Sequence, residues 1–374
     1  MDLDLDAATL AFRDEVREWL ATHVPTRPLP SFDTAEGFAA HREWESTLAS
    51  ARLSAVTWPE VYGGRDASLV AWLVFEEEYY AARAPGRVNQ NGIAMLGPTL
   101  FAHGTGEQRE RILPPMTAGA QIWAQAWSEP DAGSDIAALR SRARRVDGGW
   151  SVSGQKTWSS RAAFADRAFG LFRTDPEARR HRGLSYLMVD LRAPGVTVRP
   201  IPQLDGETGF AEIFFDEVFV PDADVIGEPG DGWRVAMTTA NNERGMSLRS
   251  PGRFLATARR LTELWRSSPR RDDTALAQRV ADAWIGARAY QLHTYATASR
   301  LAAGGTLGPE SSVGKLHWSR LDLQMHETAL DLLGPEPSAE WTDGWLFALA
   351  GPIYGGTDQI QRNTVAERLL GLPR

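Results

Sequence analysis

The sequence predicts an α+β chain in three parts: a helical N-terminal region over 1–120, an antiparallel β region over 121–230, and a four-helix bundle over 231–374. Three observations predict it. Apolar residues recur at helical spacing as far as Ala118. Short segments rich in β-branched and aromatic residues, parted by Gly, Pro and Asp, follow Gly119. The helical period then returns at Trp233 and persists.

Between Ala7 and His23, the residues Phe12, Val16, Trp19 and Leu20 form the i, i+4, i+7, i+8 stripe of an amphipathic helix. Further helices are expected from Ala35 to Leu53, Leu69 to Ala82 and Gly106 to Ala118, with turn formers from Trp58 to Gly64 between the first two. Strands are expected at Trp150–Ser153, Ala168–Phe172, Leu184–Asp190, Val196–Arg199 and Ala211–Val220, as an antiparallel sheet or small barrel. A Pro/Gly/Asp cluster from Asp224 to Gly232 closes this part. Leu276, Val280 and Trp284 then mark one helical stripe, and Leu321, Met325 and Leu332 another. The connections fall at Ser267–Asp273, Gly304–Pro309 and Gly334–Glu340, as in a bundle.

Composition narrows the function classes. The 374 residues leave room for two or three cores, and 43% hydrophobic with 24% charged residues is ordinary for a soluble globular chain. The net charge of -8, with both signs interspersed, offers no basic surface for nucleic acid or an anionic membrane. No apolar run approaches the roughly 20 residues of a membrane span. The absence of cysteine excludes disulfides, zinc–thiolate sites, iron–sulfur clusters and thiol nucleophiles, and the seven histidines lack ligand spacing, so no metal site is expected. An acidic N-terminus without an apolar signal core fits a cytoplasmic protein.

Four strings concentrate chemistry. Trp127-Ser128-Glu129-Pro130-Asp131-Ala132-Gly133-Ser134-Asp135 is a turn with a hydroxyl at each end, able to aim donors at a polar ring edge. Gly154-Gln155-Lys156-Thr157-Trp158-Ser159-Ser160 puts an aromatic face and two hydroxyls at a strand end. Taken singly, the first is an ordinary Asx/Ser turn and the second a core tryptophan. Tyr354-Gly355-Gly356-Thr357-Asp358-Gln359 sets adjacent glycines, where a backbone can approach a ligand closely, before a short helix. In Asn241-Asn242-Glu243-Arg244-Gly245, Glu243 shares a helix face with the small residues Ala236, Ala240 and Ser247, while Arg244 points about 100° away. Read by itself, Glu243 is a surface carboxylate paired with an arginine. The run Glu76-Glu77-Glu78 reads as a solvated helix face with one member capping or pairing.

In this order and spacing, across essentially the whole chain, the strings resemble the acyl-CoA dehydrogenase family. The resemblance implies FAD, an acyl-CoA or acyl-carrier-protein thioester as substrate, an electron-transfer flavoprotein as acceptor, and a homo- or hetero-oligomer, dimeric or tetrameric. It implies that Gln125, Trp127 and Ser128 line the isoalloxazine, that Trp158 packs on the ring, and that Ser160 bonds near N5. Ser134 would meet the FAD phosphates or the pantetheine arm, Thr357 and Gln359 would hold the FAD, and Arg300 would reach the FAD of a neighbouring subunit. Ala240, Arg244 and Tyr354 would flank the substrate.

Two departures from the family pattern shape the expectation. Gly355 stands where many members carry the glutamate that removes the substrate α-proton, although its N–H remains available to the thioester carbonyl. A minority place the base on the first bundle helix as a glutamate directly before an arginine, which Glu243-Arg244 resembles, so Glu243 is the expected base. The phenylalanine of the usual Arg-x-x-Phe-Gly sequence is missing after Arg300, and Pro335-Glu336-Pro337 replaces a glycine-rich continuation. These changes resemble a bacterial branch that includes heteromeric enzymes of bulky acyl-CoAs. The expected activity is dehydrogenation of acyl-CoA to trans-2-enoyl-CoA. The alternatives are a non-catalytic or half-site subunit, and a flavin monooxygenase or oxidase on the same fold.

Overall fold

The computed structural model describes residues 5–244, 250–336 and 338–373, with the side chains of Glu243 and Arg244 outside the described set. Two compact units emerge, one from residues 26–66 and 85–243, the other from 1–25, 67–84 and 244–374. The N-terminal helices are divided between these two units. Helices α1 (Ala7–His23) and α3 (Leu69–Ala81) join the second unit, and α2 (Ala35–Ser50), α4 (Gly97–His103) and α5 (Gly106–Thr117) join the first. The helix starts follow their caps. Asp6, Thr34 and Ser68 each accept a backbone N–H of the first turn of α1, α2 and α3, and Thr105 with Gln108 closes a capping box on α5.

The first unit is built on one eight-stranded sheet. Its strands are β1 (Trp123–Ala126), β2 (Arg142–Val146), β3 (Gly149–Ser160), β4 (Arg167–Arg173), β5 (Leu184–Asp190), β6 (Val196–Ile201), β7 (Phe210–Pro221) and β8 (Val225–Ile226). Their order is β6-β7-β3-β2-β4-β5-β8, with β1 pairing parallel to β4. All five expected strands are present, and β1, β2 and β8 are additional. Alternation decides which residues face the core. Ala211, Ile213 and Phe215 of β7 point inward, and Glu217, held at φ 51, switches the parity so that Val218 and Val220 follow them in. Helix α6 (Gly232–Arg244) follows the sheet.

The second unit is a helical bundle of α7 (Pro251–Ser267), α8 (Thr274–Ala302), α9 (Ser311–Leu333), α10 (Ala339–Leu349) and α11 (Asp358–Thr364), joined by α1 and α3. Leu276 and Val280 of α8 meet Leu321, Met325 and Leu332 of α9 in its core, as their spacing predicts. Helix α7 approaches α3 so closely that a Cβ on Gly252 would sit 2.6 Å from the Glu76 carbonyl oxygen. The acidic run on α3 is not a solvated face. Glu76 is buried, Glu78 pairs with Arg17, and Glu77 accepts a hydrogen bond from Gln291 while burial pushes its pKa up. A charge run in sequence carries no sign of the partners that other helices supply.

Candidate functional site

In the first unit, the site is set by a bulge. Strand β3 pairs with β7 through Lys156–Ile213 and then Ser159–Ala211, so Thr157 and Trp158 together face one residue of β7. Such a bulge bends the strand and re-aims a side chain. Trp158 lies in the left-handed region at φ 58 and is 60% exposed, edge-on to Phe210 at 6.0 Å. A bulky residue there costs about 1–2 kcal/mol, and exposing its ring forfeits burial as well. Ser160, half-buried, ends the same strand.

The turn after β1 is fastened to this bulge. The Thr157 N–H donates to the Ser128 carbonyl at 2.8 Å, which brings Ser128 beside the Trp158–Ser160 segment. Beneath it lies a buried ion pair. Lys156, fully buried, donates to Glu129 Oε1 at 2.8 Å, to the Leu171 carbonyl at 2.8 Å and to the Trp127 carbonyl at 3.2 Å. Glu129 also accepts the N–H groups of Arg140 and Ser141. Burial pushes the Lys156 pKa down to about 8. Burial alone would raise the Glu129 pKa, but Lys156 and the Arg140 N–H outweigh it and hold the carboxyl below its ordinary value. The turn is thereby rigid, with Gln125, Trp127 and Ser128 half-buried and Ser134 exposed on its far side. Both members of the pair sit inside the two strings singled out from sequence, yet nothing in the strings tied them together.

In the second unit, the glycine loop is fastened in a similar way. Gly355 and Gly356 take φ values of 64 and 82, a backbone that favours glycine. Gln361 donates to the carbonyls of both, at 3.0 and 3.2 Å. Buried Lys315 of α9 donates to the Gly351 carbonyl at 2.8 Å and to Asp358 Oδ1 at 3.1 Å, and Ser319 donates to the same carboxylate oxygen. Asp358 thus points into the bundle. Thr357 caps α11 by accepting the Ile360 N–H, which leaves its own O–H to donate, and Gln359 is exposed. Tyr354 stacks on Trp318 at 5.9 Å, facing the bundle aromatics. Arg300, at the end of α8, forms an ion pair with Glu310 rather than with the glycine loop.

Ala240 is buried on α6, and the expected base Glu243 lies three residues further along the same helix, its side chain, like that of Arg244, outside the described residues. No group of three or more His, Asp or Glu residues suited to a metal occurs among the described residues. Nor is any helix among them long and apolar enough to cross a membrane.

Comparison with known proteins agrees across the chain. Three family models match it: acyl-CoA dehydrogenase N-terminal domain over 6–120, middle domain over 124–218 and C-terminal domain over 230–370. The chain is 41% identical over 380 residues to acyl-CoA dehydrogenase IpdE1 of Mycobacterium tuberculosis, with 97% of each chain covered. It is 38% identical over 391 residues to acyl-CoA dehydrogenase IpdE1 of Mycolicibacterium smegmatis, again with 97% of each covered. Among solved structures, it matches the Tcur3481-Tcur3483 steroid ACAD with a TM-score of 0.87 and 26% identity over the whole of both chains. The ChsE4-ChsE5 complex from Mycobacterium tuberculosis matches with a TM-score of 0.86 and 27% identity, also over the whole of both chains.

Proposed function

The chain belongs to the acyl-CoA dehydrogenase family, and from that premise we propose that it desaturates an acyl thioester between Cα and Cβ with FAD, using Glu243 as the base. The observation that carries the choice of base is the fate of Asp358. It is the one acid in the 351–361 stretch, and it is buried against Lys315. The loop therefore offers backbone donors but no carboxylate to an α-proton, so the base comes from another element. Position 243 on α6 supplies a glutamate next to the small residue Ala240.

The residues fit a flavin. An indole pushed outward by a bulge in the left-handed region suits stacking on a planar ring, and Ser128 and Ser160, on the two segments joined at Thr157, carry hydroxyls of the kind its polar edge needs. Bound flavin supplies the two-electron acceptor for the β-hydrogen. Gln125, Trp127, Ser128, Trp158 and Ser160 would hold the ring, with Ser134, Thr357 and Gln359 holding the remainder of the cofactor. The Gly355 N–H, which glycine retains, would polarise the thioester carbonyl and so acidify the α-proton. Glu243 would take that proton. The name of one structural neighbour, the Tcur3481-Tcur3483 steroid ACAD, supports a bulky, steroid-like acyl group, and an electron-transfer flavoprotein as the acceptor is the family expectation.

The test is anaerobic titration of the purified chain with a panel of straight-chain and polycyclic acyl-CoAs. Bleaching of the flavin by a polycyclic acyl-CoA is expected. Bleaching by none of the panel, in a protein that holds FAD, contradicts the reading. A second reading, a half-site subunit that needs a different partner chain, is favoured by the Arg300–Glu310 pair, because that arginine is engaged within its own chain. A colourless chain that turns yellow only when co-expressed with a partner would support it.

A further inference from the structure

A chain of buried hydroxyls runs from the turn after β1 to α6, through residues that no motif contains. The Trp127 indole N–H donates to the Tyr186 hydroxyl at 3.2 Å, and that hydroxyl donates to Thr239 Oγ1 at 3.1 Å. Thr239 Oγ1 lies 2.8 Å from Thr99 Oγ1, and Thr99 Oγ1 lies 2.7 Å from the Met95 carbonyl oxygen. Tyr186, Thr239 and Thr99 are each completely buried.

The Trp127 end fixes the first two directions. An indole only donates, so Tyr186 accepts from Trp127 and sends its hydrogen to Thr239. Between Thr239 and Thr99 either hydroxyl can donate, because each also has a carbonyl acceptor one helical turn back, Val235 for Thr239 and Met95 for Thr99. The result is a continuous chain across four elements: the turn at Trp127, strand β5 at Tyr186, helix α6 at Thr239, and α4 at Thr99. The chain ends on the π-helical turn Asn91–Leu96, to which Met95 belongs. Tyr186 is also clamped between rings, edge-on to Trp127 at 6.2 Å and stacked with Phe169 at 6.1 Å. Phenylalanine and valine would fill nearly the same space with no buried polar atoms to satisfy, so the hydroxyls serve placement rather than bulk.

Thr239 lies four residues, one helical turn, before position 243. Trp127 is the residue before Ser128. We propose that Tyr186 and Thr239 are positioning residues for α-proton removal: through the Trp127–Tyr186–Thr239–Thr99 chain they set the register of α6, and with it Glu243, against the turn that carries Ser128. This inference rests on the reading of Glu243 as the base.

The test compares Tyr186→Phe, Thr239→Val, Thr239→Ser, Thr99→Val and Glu243→Gln in the full chain, with flavin content, melting temperature, and the rate and substrate dependence of flavin reduction by an acyl-CoA that bleaches the parent. Tyr186→Phe and Thr239→Val should lower the limiting rate of reduction about tenfold or more with flavin content and half-saturating substrate unchanged, as expected when only the reacting geometry shifts. Thr239→Ser, which keeps the hydroxyl, should restore most of the rate. Tyr186→Phe combined with Thr99→Val should be no slower than the worse single variant, since both cut one chain. A lowered melting temperature at the parent rate, or Thr239→Ser as slow as Thr239→Val, overturns the proposal. If Tyr186→Phe does not fold, Thr239→Val carries the same comparison. Glu243→Gln separates the two failures. If it is inactive while the chain variants keep the parent rate, only the positioning role falls; if it reduces at the parent rate, the base reading falls and takes the positioning role with it.

Discussion

Beneath each of the two candidate loops lies a buried lysine paired with a carboxylate, and the two pairs differ in what else they hold. Lys156 and Glu129 lock a turn made largely of side-chain-bearing residues, and Glu129 additionally accepts two backbone N–H groups. Lys315 and Asp358 lock a loop whose shape depends on two left-handed glycines, and their carboxylate takes a serine hydroxyl and the more distant guanidinium groups of Arg320 and Arg362 but no backbone N–H among the bonds described. The first pair fixes where hydroxyls and an indole point. The second fixes where backbone donors point. Side chains shape the first loop and bare backbone the second, and the second keeps its shape with glycine at 355.

Breaking the pairs should show this asymmetry. Glu129→Ala strands a buried lysine and two backbone donors, and should cost about 3–5 kcal/mol, read as a loss of unfolding free energy in denaturant together with loss of flavin. Both lysines keep carbonyl acceptors, Lys156 two and Lys315 one, but Asp358→Ala does not strand the two backbone donors that Glu129→Ala does, so a smaller cost, about 3 kcal/mol, is expected in the same assay. Gly356→Ala should cost about 1–2 kcal/mol, because φ is 82 and the added methyl would meet Gln361 Nε2 at 2.5 Å. Equal losses for the two carboxylates would remove the distinction between the pairs.

The smallest effect is in the pH dependence. Because Glu129 is held below its ordinary pKa when folded, its contribution is complete above the ordinary carboxylate value and is lost as the pH falls through the lower, folded value. Glu129→Gln should lack that acid-side loss. Urea unfolding followed from neutral to acidic pH checks it, with parallel curves for parent and variant as the opposing result.

Much of the architecture was legible in the sequence because periodicity reports directly on burial. The stripes at Leu276–Val280 and Leu321–Met325–Leu332 are core contacts, and each expected strand exists. The site was legible only as strings. Trp158 could be named, but the bulge that exposes it depends on its register with β7. Lys156 finds Glu129 across 27 positions and Tyr186 finds Thr239 across 53, distances over which spacing carries no signal. Glu76 is buried for the same reason: α7 lies against it, and nothing in the run itself announces that neighbour.

In the proposed mechanism the base lies on α6 rather than in the glycine loop, and stopped-flow reduction of the flavin in Glu243→Gln tests this. The variant is expected to keep its flavin and bind acyl-CoA, while reduction slows by about 10²–10⁴-fold, the range a general base contributes. Reduction at the parent rate would contradict it.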